Sequence, residues 1–223
     1  QTCALPIFQR FELDASLTGN QHQTYTSFDF IAQNYSAGWM WSVTPQFHGS
    51  LTSARTESLN AATDSANPNL RNKNTTQNTA LSAVYELGGP WQVTGGVSSS
   101  NSINERALIG QADNRSTAAN VGARYVLGSG NMLAYSMQTA NGNNINDYTS
   151  VVHDVSGVWV LTGNTTLNGR IAQMQQRYGA TPQYDFSGVS GAVSVVWRVS
   201  GKISLNAGWQ RDLASYQTAG TTH

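Results

Sequence analysis

The sequence is poor in charged residues and has no long apolar run. Charged residues make up 11% of its 223 positions and the formal net charge at pH 7 is +0, whereas ordinary soluble domains are about 25% charged. Because there is no basic excess, we expect no nucleic-acid partner. No stretch approaches the roughly 18 apolar residues that a transmembrane helix needs. These absences argue against a nucleic-acid-binding protein and against a helical membrane protein.

Spacings typical of catalytic or metal sites are also missing. The four histidines are scattered, with no second ligand two or four positions away. His153 and Asp154 are adjacent on a predicted strand and point to opposite faces, so they do not form a dyad. Ser187–Gly191 departs from the G-x-S-x-G elbow of hydrolases. We therefore expect no enzyme activity, no metal and no cofactor.

The chain instead contains a regular series of five short turns, with longer polar loops between them. The turns are Thr44–Gln46, Gly88–Pro90, Gly128–Gly130, Thr162–Asn164 and Ser200–Lys202. The aromatic residues near them are Trp39, Trp41, Trp91, Tyr125, Trp159 and Trp197. Short turns on one side, long loops on the other and aromatics banked at the turns are typical of an outer-membrane β-barrel. We interpret the six aromatics as membrane-interface residues rather than as sugar-stacking residues.

The strands between these turns alternate between apolar and polar residues. Phe11 and Leu13 share one face of the first strand, whereas Arg10, Glu12 and Asp14 share the other. The pattern predicts an all-β fold, namely an antiparallel up-and-down transmembrane β-barrel with about eleven strands in this chain. The predicted long loops cover 61–77, 98–115 and 141–147. The Asn-rich loop at 141–147 is a candidate calcium site, but Asn and Gly are also ordinary loop formers.

The two ends of the chain suggest a fragment. Residues 1–7, which contain the only cysteine, fit no strand pattern and match the translation of a common sequencing adapter. We therefore expect residues 1–7 to be an artefact and 8–223 to be barrel, the alternative being a natural N-terminus. Without Cys3 the native part has no cysteine, as suits an outer-membrane protein. Because bacterial barrels usually have an even number of strands, we expect the N-terminal signal region and the closing strands to be missing.

The polar face of the predicted strands is expected to line the interior of the barrel. The candidate lumen-lining residues are Arg10, Glu12, Asp14, Arg124, Asn168, Arg170, Ser194, Arg198, Asn206, Gln210 and Asp212. Mixed charges among amides and hydroxyls would make a hydrated, weakly selective wall. The same groups would equally make a static hydrogen-bonded plug, as in small closed barrels. The residues leave both interpretations open.

Several segments carry a resemblance to a known family. They are QRFELDASLT at 9–18, WSVTP at 41–45, RTESL at 55–59, DFSG at 185–188 and QRDL at 210–213. Over roughly residues 8 to 216 the chain resembles the EpsL-type outer-membrane β-barrel proteins, which are encoded with exosortase-associated extracellular polysaccharide biosynthesis systems of Gram-negative bacteria. The resemblance implies a transporter in exopolysaccharide production, and it supplies no catalytic residues.

The expected function is therefore passive export of extracellular polysaccharide through a pore in the cell outer membrane. The expected partners are outer-membrane lipid, the polysaccharide itself and periplasmic export proteins that would help to drive transport. One alternative is a non-conducting barrel that binds surface glycan or a partner through its long loops. A generic porin and a soluble secreted β-sandwich are the others, although a sandwich needs no aromatic row at one set of turns.

Overall fold

The computed structural model contains eleven antiparallel strands whose order in the sheet follows their order in the chain. It describes residues 8–21, 23, 28–59, 72–106, 112–143 and 146–212. The strands are β1 (Phe8–Asn20), β2 (Phe30–Thr44), β3 (Phe47–Leu59), β4 (Lys73–Glu86), β5 (Trp91–Asn104), β6 (Asn114–Val126), β7 (Met132–Asn143), β8 (Asp147–Thr162), β9 (Thr165–Tyr178), β10 (Phe186–Ser200) and β11 (Ile203–Arg211). The predicted all-β, up-and-down arrangement is confirmed. Among the described residues, no helix is long and apolar enough to cross a membrane.

The five predicted short turns are all present between consecutive strands. Pro45 and Gln46 join β2 to β3, and similarly tight connections follow β4, β6, β8 and β10. Gly88 and Gly89 adopt φ values of 85° and 68° in the turn after β4. Side chains with a Cβ rarely adopt such values, so glycine is needed at both positions.

The connections on the other side are shorter than the sequence predicted. β4 already begins at Lys73, β5 extends to Asn104 and β6 begins at Asn114, so the predicted loop bounds 61–77 and 98–115 were wrong. The predicted loop at 141–147 is also shorter, because β7 continues to Asn143 and β8 begins at Asp147. Residues 60–71 and residues 1–7, the predicted artefact, lie outside the described part of the chain.

Side-chain hydrogen bonds explain why these polar segments remain in strands. The Asn74 amide donates to Ser102 Oγ at 2.8 Å and to Asn104 Oδ1 at 3.0 Å. Thr76 Oγ1 donates to Asn74 Oδ1 at 2.9 Å. The two contacts that Asn74 makes with β5 stabilise the β4–β5 pair, although Asn is depleted in strands when judged by propensity alone.

The chain divides into two compact units. The first comprises Gln1–Ala83, Gly96–Ala118 and Asn141–Asp147, and the second comprises Val84–Gly95, Ala119–Ala140 and Tyr148–His223. In the first unit, the register places Phe11 opposite Trp39 and Trp39 opposite Leu51. Because directly paired residues of an antiparallel ladder share a face, these side chains form one apolar face.

The second unit shows the same separation of faces over β8 to β11. Val155 pairs with Ile171, and Trp197 pairs with Leu205. The neighbouring positions Asn168 and Ser194 pair on the opposite face. In each unit we call the face with the large apolar residues the apolar face and the other the polar face.

The apolar face is exposed rather than packed into a core. Leu13 is 78% exposed, Phe11 72% and Trp209 62%, whereas the buried apolar residues of the described chain are Ala32, Ala172 and Tyr178. A soluble β-sandwich buries its apolar faces between two sheets. The sandwich alternative is therefore wrong.

Candidate functional site

The polar face of the first unit carries three of the predicted lumen residues. Arg10, Glu12 and Asp14 alternate with the apolar residues of β1, and Arg10 Nη2 lies 2.5 Å from Glu12 Oε1. Both charged side chains are at least half exposed. A groove of about 370 Å³ beside them is lined by both carboxylates and by Ser36, Thr52 and Asn78, among other residues. The groove offers acidic, hydroxyl and amide groups to solvent.

The polar face of the second unit brings most of the remaining candidates together. Asn168 pairs with Ser194 and Asn206 pairs with Val196, while Arg198 and Gln210 lie opposite Ser204 and Ala192. The Asn168 amide donates to Ser194 Oγ at 3.3 Å. The Gln210 amide donates to the Asp212 carboxylate just beyond the end of β11. These positions therefore share one polar surface, which Val158 and Val196 interrupt near the short turns.

Arg170 has a partner that the sequence analysis did not assign. Its Nε donates to Asp154 Oδ2 at 2.5 Å, from the neighbouring strand β8. The Arg170 side chain is 56% exposed and the Asp154 side chain 17%. Solvent screens such a pair, so its value lies in holding Arg170 in place rather than in stability.

Arg124 has a buried donor atom without a partner in the described part of the chain. It lies on β6 between the apolar-face residues Ala123 and Tyr125, and its Nε is buried with no hydrogen-bond partner among the described residues. A guanidinium normally uses its donors when it is buried. Arg124 is therefore a donor that has capacity for another acceptor.

His153 and Asp154 point to opposite faces, as predicted. The His153 ring lies on the apolar face, where its Nδ1 is 2.8 Å from Tyr135 Oη and the two rings stack. Asp154 binds Arg170 on the polar face. Across the described residues, no three metal-ligating side chains are close enough to hold a metal ion.

All six predicted interface aromatics lie on the apolar face. Trp39 stacks on Phe11 with ring centroids 5.8 Å apart, and its indole N–H donates to Gln9 Oε1 at 2.5 Å. Trp91 meets Tyr125 edge to face at 4.8 Å beside the turn after β4. The rings of Trp41 and Trp159 cover glycines, and Trp197 pairs with Leu205. Their contact with lipid headgroups stays a prediction.

A charged cluster at the loop end of the first unit was missed. Glu57 is 5% exposed and lies 2.6 Å from Arg55 Nη2 and 3.2 Å from Lys73 Nζ. The alternation of β3 gives one signal for this cluster. Arg55 falls on the same face as the apolar Leu51, where a charged residue is unexpected. The contribution of Lys73 depends on strand pairing, which local patterns do not reveal.

Comparison with known proteins gives structural matches only. No protein-family model matches the chain, and no curated protein matches its sequence. FauA, an alcaligin outer-membrane receptor from Bordetella pertussis, is similar with a TM-score of 0.55 and 10% identity, over 91% of this chain and 38% of FauA. OmpT, an outer membrane protein of Vibrio cholerae, has a TM-score of 0.47 and 9% identity, over 90% of this chain and 83% of OmpT. CdiB from Acinetobacter baumannii has a TM-score of 0.45 and 12% identity, over 93% of this chain and 45% of CdiB.

The similarity to FauA decides the fold class. The chain has the fold of an outer-membrane β-barrel. At 10% identity the likeness extends to the fold alone. The exposed apolar face gives an independent physical reason for the location, because leucine, phenylalanine and tryptophan rows of this extent are stable in hydrocarbon and prone to aggregate in water. We therefore expect the apolar face of this outer-membrane protein to meet lipid.

Proposed function

We propose that this outer-membrane protein forms a pore through which an extracellular polysaccharide leaves the cell. The observation that carries the proposal is the polar face of β8 to β11. Its hydroxyl, amide and ion-paired groups already bond to one another, as in Asn168–Ser194 and Arg170–Asp154. Such groups can exchange these bonds for bonds to sugar hydroxyls without leaving a buried charge unpaired.

The resemblance to EpsL-type proteins supports polysaccharide as the transported molecule. A polar wall replaces the hydrogen bonds that a sugar chain makes with water, so passage itself needs no chemical step. The driving force would then come from polymer synthesis or from periplasmic export proteins. This role requires neither a catalytic residue nor a cofactor.

Reversing the charge of Arg170 should change the ion selectivity of the pore. In Arg170→Glu the new carboxylate faces Asp154, and Asp154 loses the arginine that neutralised its charge. The substitution changes the local charge by two units, which alters the energy of an ion about 8 Å away by about 1 kcal/mol in water, or about fivefold in relative permeability. We expect a shift of about this size towards cations, measured as reversal potential in planar bilayers. Arg198→Glu should act in the same direction.

Lys202→Glu is the matched control for these two variants. Lys202 lies in the exposed turn between β10 and β11, so the same change of charge is placed outside the polar face. Unchanged selectivity in both arginine variants, or an equal shift in the Lys202 variant, would contradict a lumen-lining role for Arg170 and Arg198.

A non-conducting barrel is the second candidate, and two observations favour it. The charged groups Arg10 and Glu12, like Arg170 and Asp154, are paired with each other. Val158 and Val196 also lie on the polar face near the short turns. Under this alternative the protein binds surface glycan or a partner through its loops. Bilayers containing the intact protein would then show no single-channel events. The pore proposal, in contrast, requires such events.

A further inference from the structure

At the loop end of the first unit, side-chain hydrogen bonds replace the backbone hydrogen bonds between β2 and β3. The last regular pair is Tyr35 with Arg55. Beyond it, the Glu57 carboxylate accepts the backbone N–H of Gln33 at 3.0 Å, and Asn34 Oδ1 accepts the backbone N–H of Glu57 at 2.8 Å. Glu57 is thus wedged between the two strands, where its own burial is compensated by these bonds.

The wedged carboxylate fixes two cationic side chains at the surface. Arg55 Nη2 and Lys73 Nζ both bind Glu57 Oε1, yet the Arg55 side chain is 38% exposed and the Lys73 side chain 29%. The Glu57 side chain is only 2% exposed. The cluster therefore hides its single negative charge and presents two positive ones, with a net charge of +1.

A notch lies directly beside Arg55. It has a volume of about 350 Å³ and is lined by Ala15, Ser16, Leu17, Gln33, Asn34, Tyr35 and Arg55. Leu17, which is 77% exposed, gives the notch an apolar border. The notch therefore combines the partly exposed guanidinium of Arg55 with the Gln33 amide, the Tyr35 hydroxyl and an apolar surface for an acyl chain.

The position of the cluster along β3 places it at the outer boundary of the membrane. Arg55 shares the apolar face with Leu51 and Trp39. It is eight residues beyond Phe47, or about 26 Å along the strand and about 20 Å along the membrane normal at the tilt of a barrel strand. The apolar band of such barrels is about 25 Å tall, with the long loops outside the cell. With Phe47 at the inner edge of this band, the Cα of Arg55 lies about 5 Å inside the outer edge. A long cationic side chain spans that distance by extending towards the headgroups of the outer leaflet.

We propose that Arg55 and Lys73, held by Glu57, bind the phosphate headgroup of an outer-leaflet glycolipid. The two cations supply charge-assisted hydrogen bonds to phosphate, for which Arg has suitable geometry. The Gln33 amide and the Tyr35 hydroxyl, which share the apolar face with Arg55, suit sugar hydroxyls, and Leu17 lies where an acyl chain begins. A soluble polysaccharide is a weaker fit because the cluster lies on the apolar face, away from the polar face proposed for transport.

The proposal can be tested by measuring lipid retained on the purified protein. The protein is reconstituted in phosphatidylcholine nanodiscs that contain either bisphosphorylated lipid A or its dephosphorylated form, and bound lipid is counted by mass spectrometry after detergent extraction. We expect the phosphorylated form to be retained at least about tenfold better, as hydrogen bonds between charged groups allow. Equal retention of the two forms would overturn the proposal.

The decisive variant is Arg55→Gln/Glu57→Gln/Lys73→Gln, which removes all three charges without stranding a buried carboxylate. It should lose the preference for phosphorylated lipid A, whereas Lys202→Gln, in the turn between β10 and β11, should keep it. Heat-modifiable gel migration reports whether each variant is folded. If the triple variant does not fold, Lys73→Gln leaves the Arg55–Glu57 pair intact and should still lose severalfold in retention. Unchanged retention in a folded variant would refute the site.

Two further arms identify the source of the anion. Inorganic phosphate, or alginate as a phosphate-free anionic polysaccharide, is added as a competitor for lipid A. The lipid site requires that neither compound displaces lipid A at concentrations that leave non-specific binding unchanged. Displacement by phosphate alone would make this a general anion site, and displacement by alginate would make it a polysaccharide site. Either result would overturn the assignment to a lipid.

Discussion

Replacing Val193 by arginine should lower the free energy of unfolding in lipid vesicles by about 2–4 kcal/mol, the cost of a cation deep in the lipid-facing band. Val193 lies mid-strand on the apolar face, opposite Gly169 and Trp209, and is 47% exposed. Neither of the two residues that pair with position 193 is acidic, so an arginine there would gain no ion pair from them. The measurement is a denaturant titration of the protein refolded into phosphatidylcholine vesicles.

The adjacent residue provides a matched control for this experiment. Ser194 lies on the polar face opposite Asn168 and Gly208, so Ser194→Arg adds the same charge and volume one position away. Its cost should be about 1 kcal/mol or less, as for surface substitutions. Similar costs for both variants would contradict the assignment of the two faces to lipid and water.

The second large effect is expected at Gly49. A Cβ added there would lie 2.2 Å from the backbone oxygen of Ser82 and 2.5 Å from Cζ2 of Trp41. The oxygen belongs to β4 and cannot rotate away, so strand spacing must change. We expect Gly49→Ala to lower the free energy of unfolding by about 2–3 kcal/mol, as is typical of overpacked sites.

Gly169→Ala is the control for Gly49→Ala. Gly169 also lies on the apolar face, but an added Cβ there meets no atom within 4 Å. Because alanine also reduces the freedom of the unfolded chain, this variant should be neutral or slightly more stable. The same titration in vesicles compares the two, and an equal loss at both glycines would contradict the close approach of β4 to Gly49.

Residue parity within a strand could be predicted from the sequence because it depends only on local alternation. Phe11 and Arg10 fall on opposite faces as expected, and so do Trp197 and Arg198. The turns were equally accessible, since Gly88 and Gly89 are required by backbone geometry rather than by distant contacts. The fold class followed from these two local signals together.

Contacts across strands could not be predicted in the same way. The partnership of Arg170 with Asp154 depends on the register of β8 against β9, which includes a bulge between Val160 and Thr162. The charged cluster at Glu57 depends on β4 starting at Lys73, inside a segment that composition alone assigns to a loop. In both cases the deciding interaction joins residues about 16 positions apart, beyond the reach of a local pattern.

The tryptophans packed on glycines have a consequence for spectroscopy. The Trp159 ring covers Gly157 of its own strand, so this contact forms once β8 is extended, whereas the Trp41 ring covers Gly49 and requires β2 to pair with β3. Trp209 is 62% exposed on the apolar face, where we expect it to meet acyl chains. Three single-tryptophan variants, each keeping one of these residues, would therefore give separate fluorescence signals for strand extension, hairpin pairing and insertion into the bilayer.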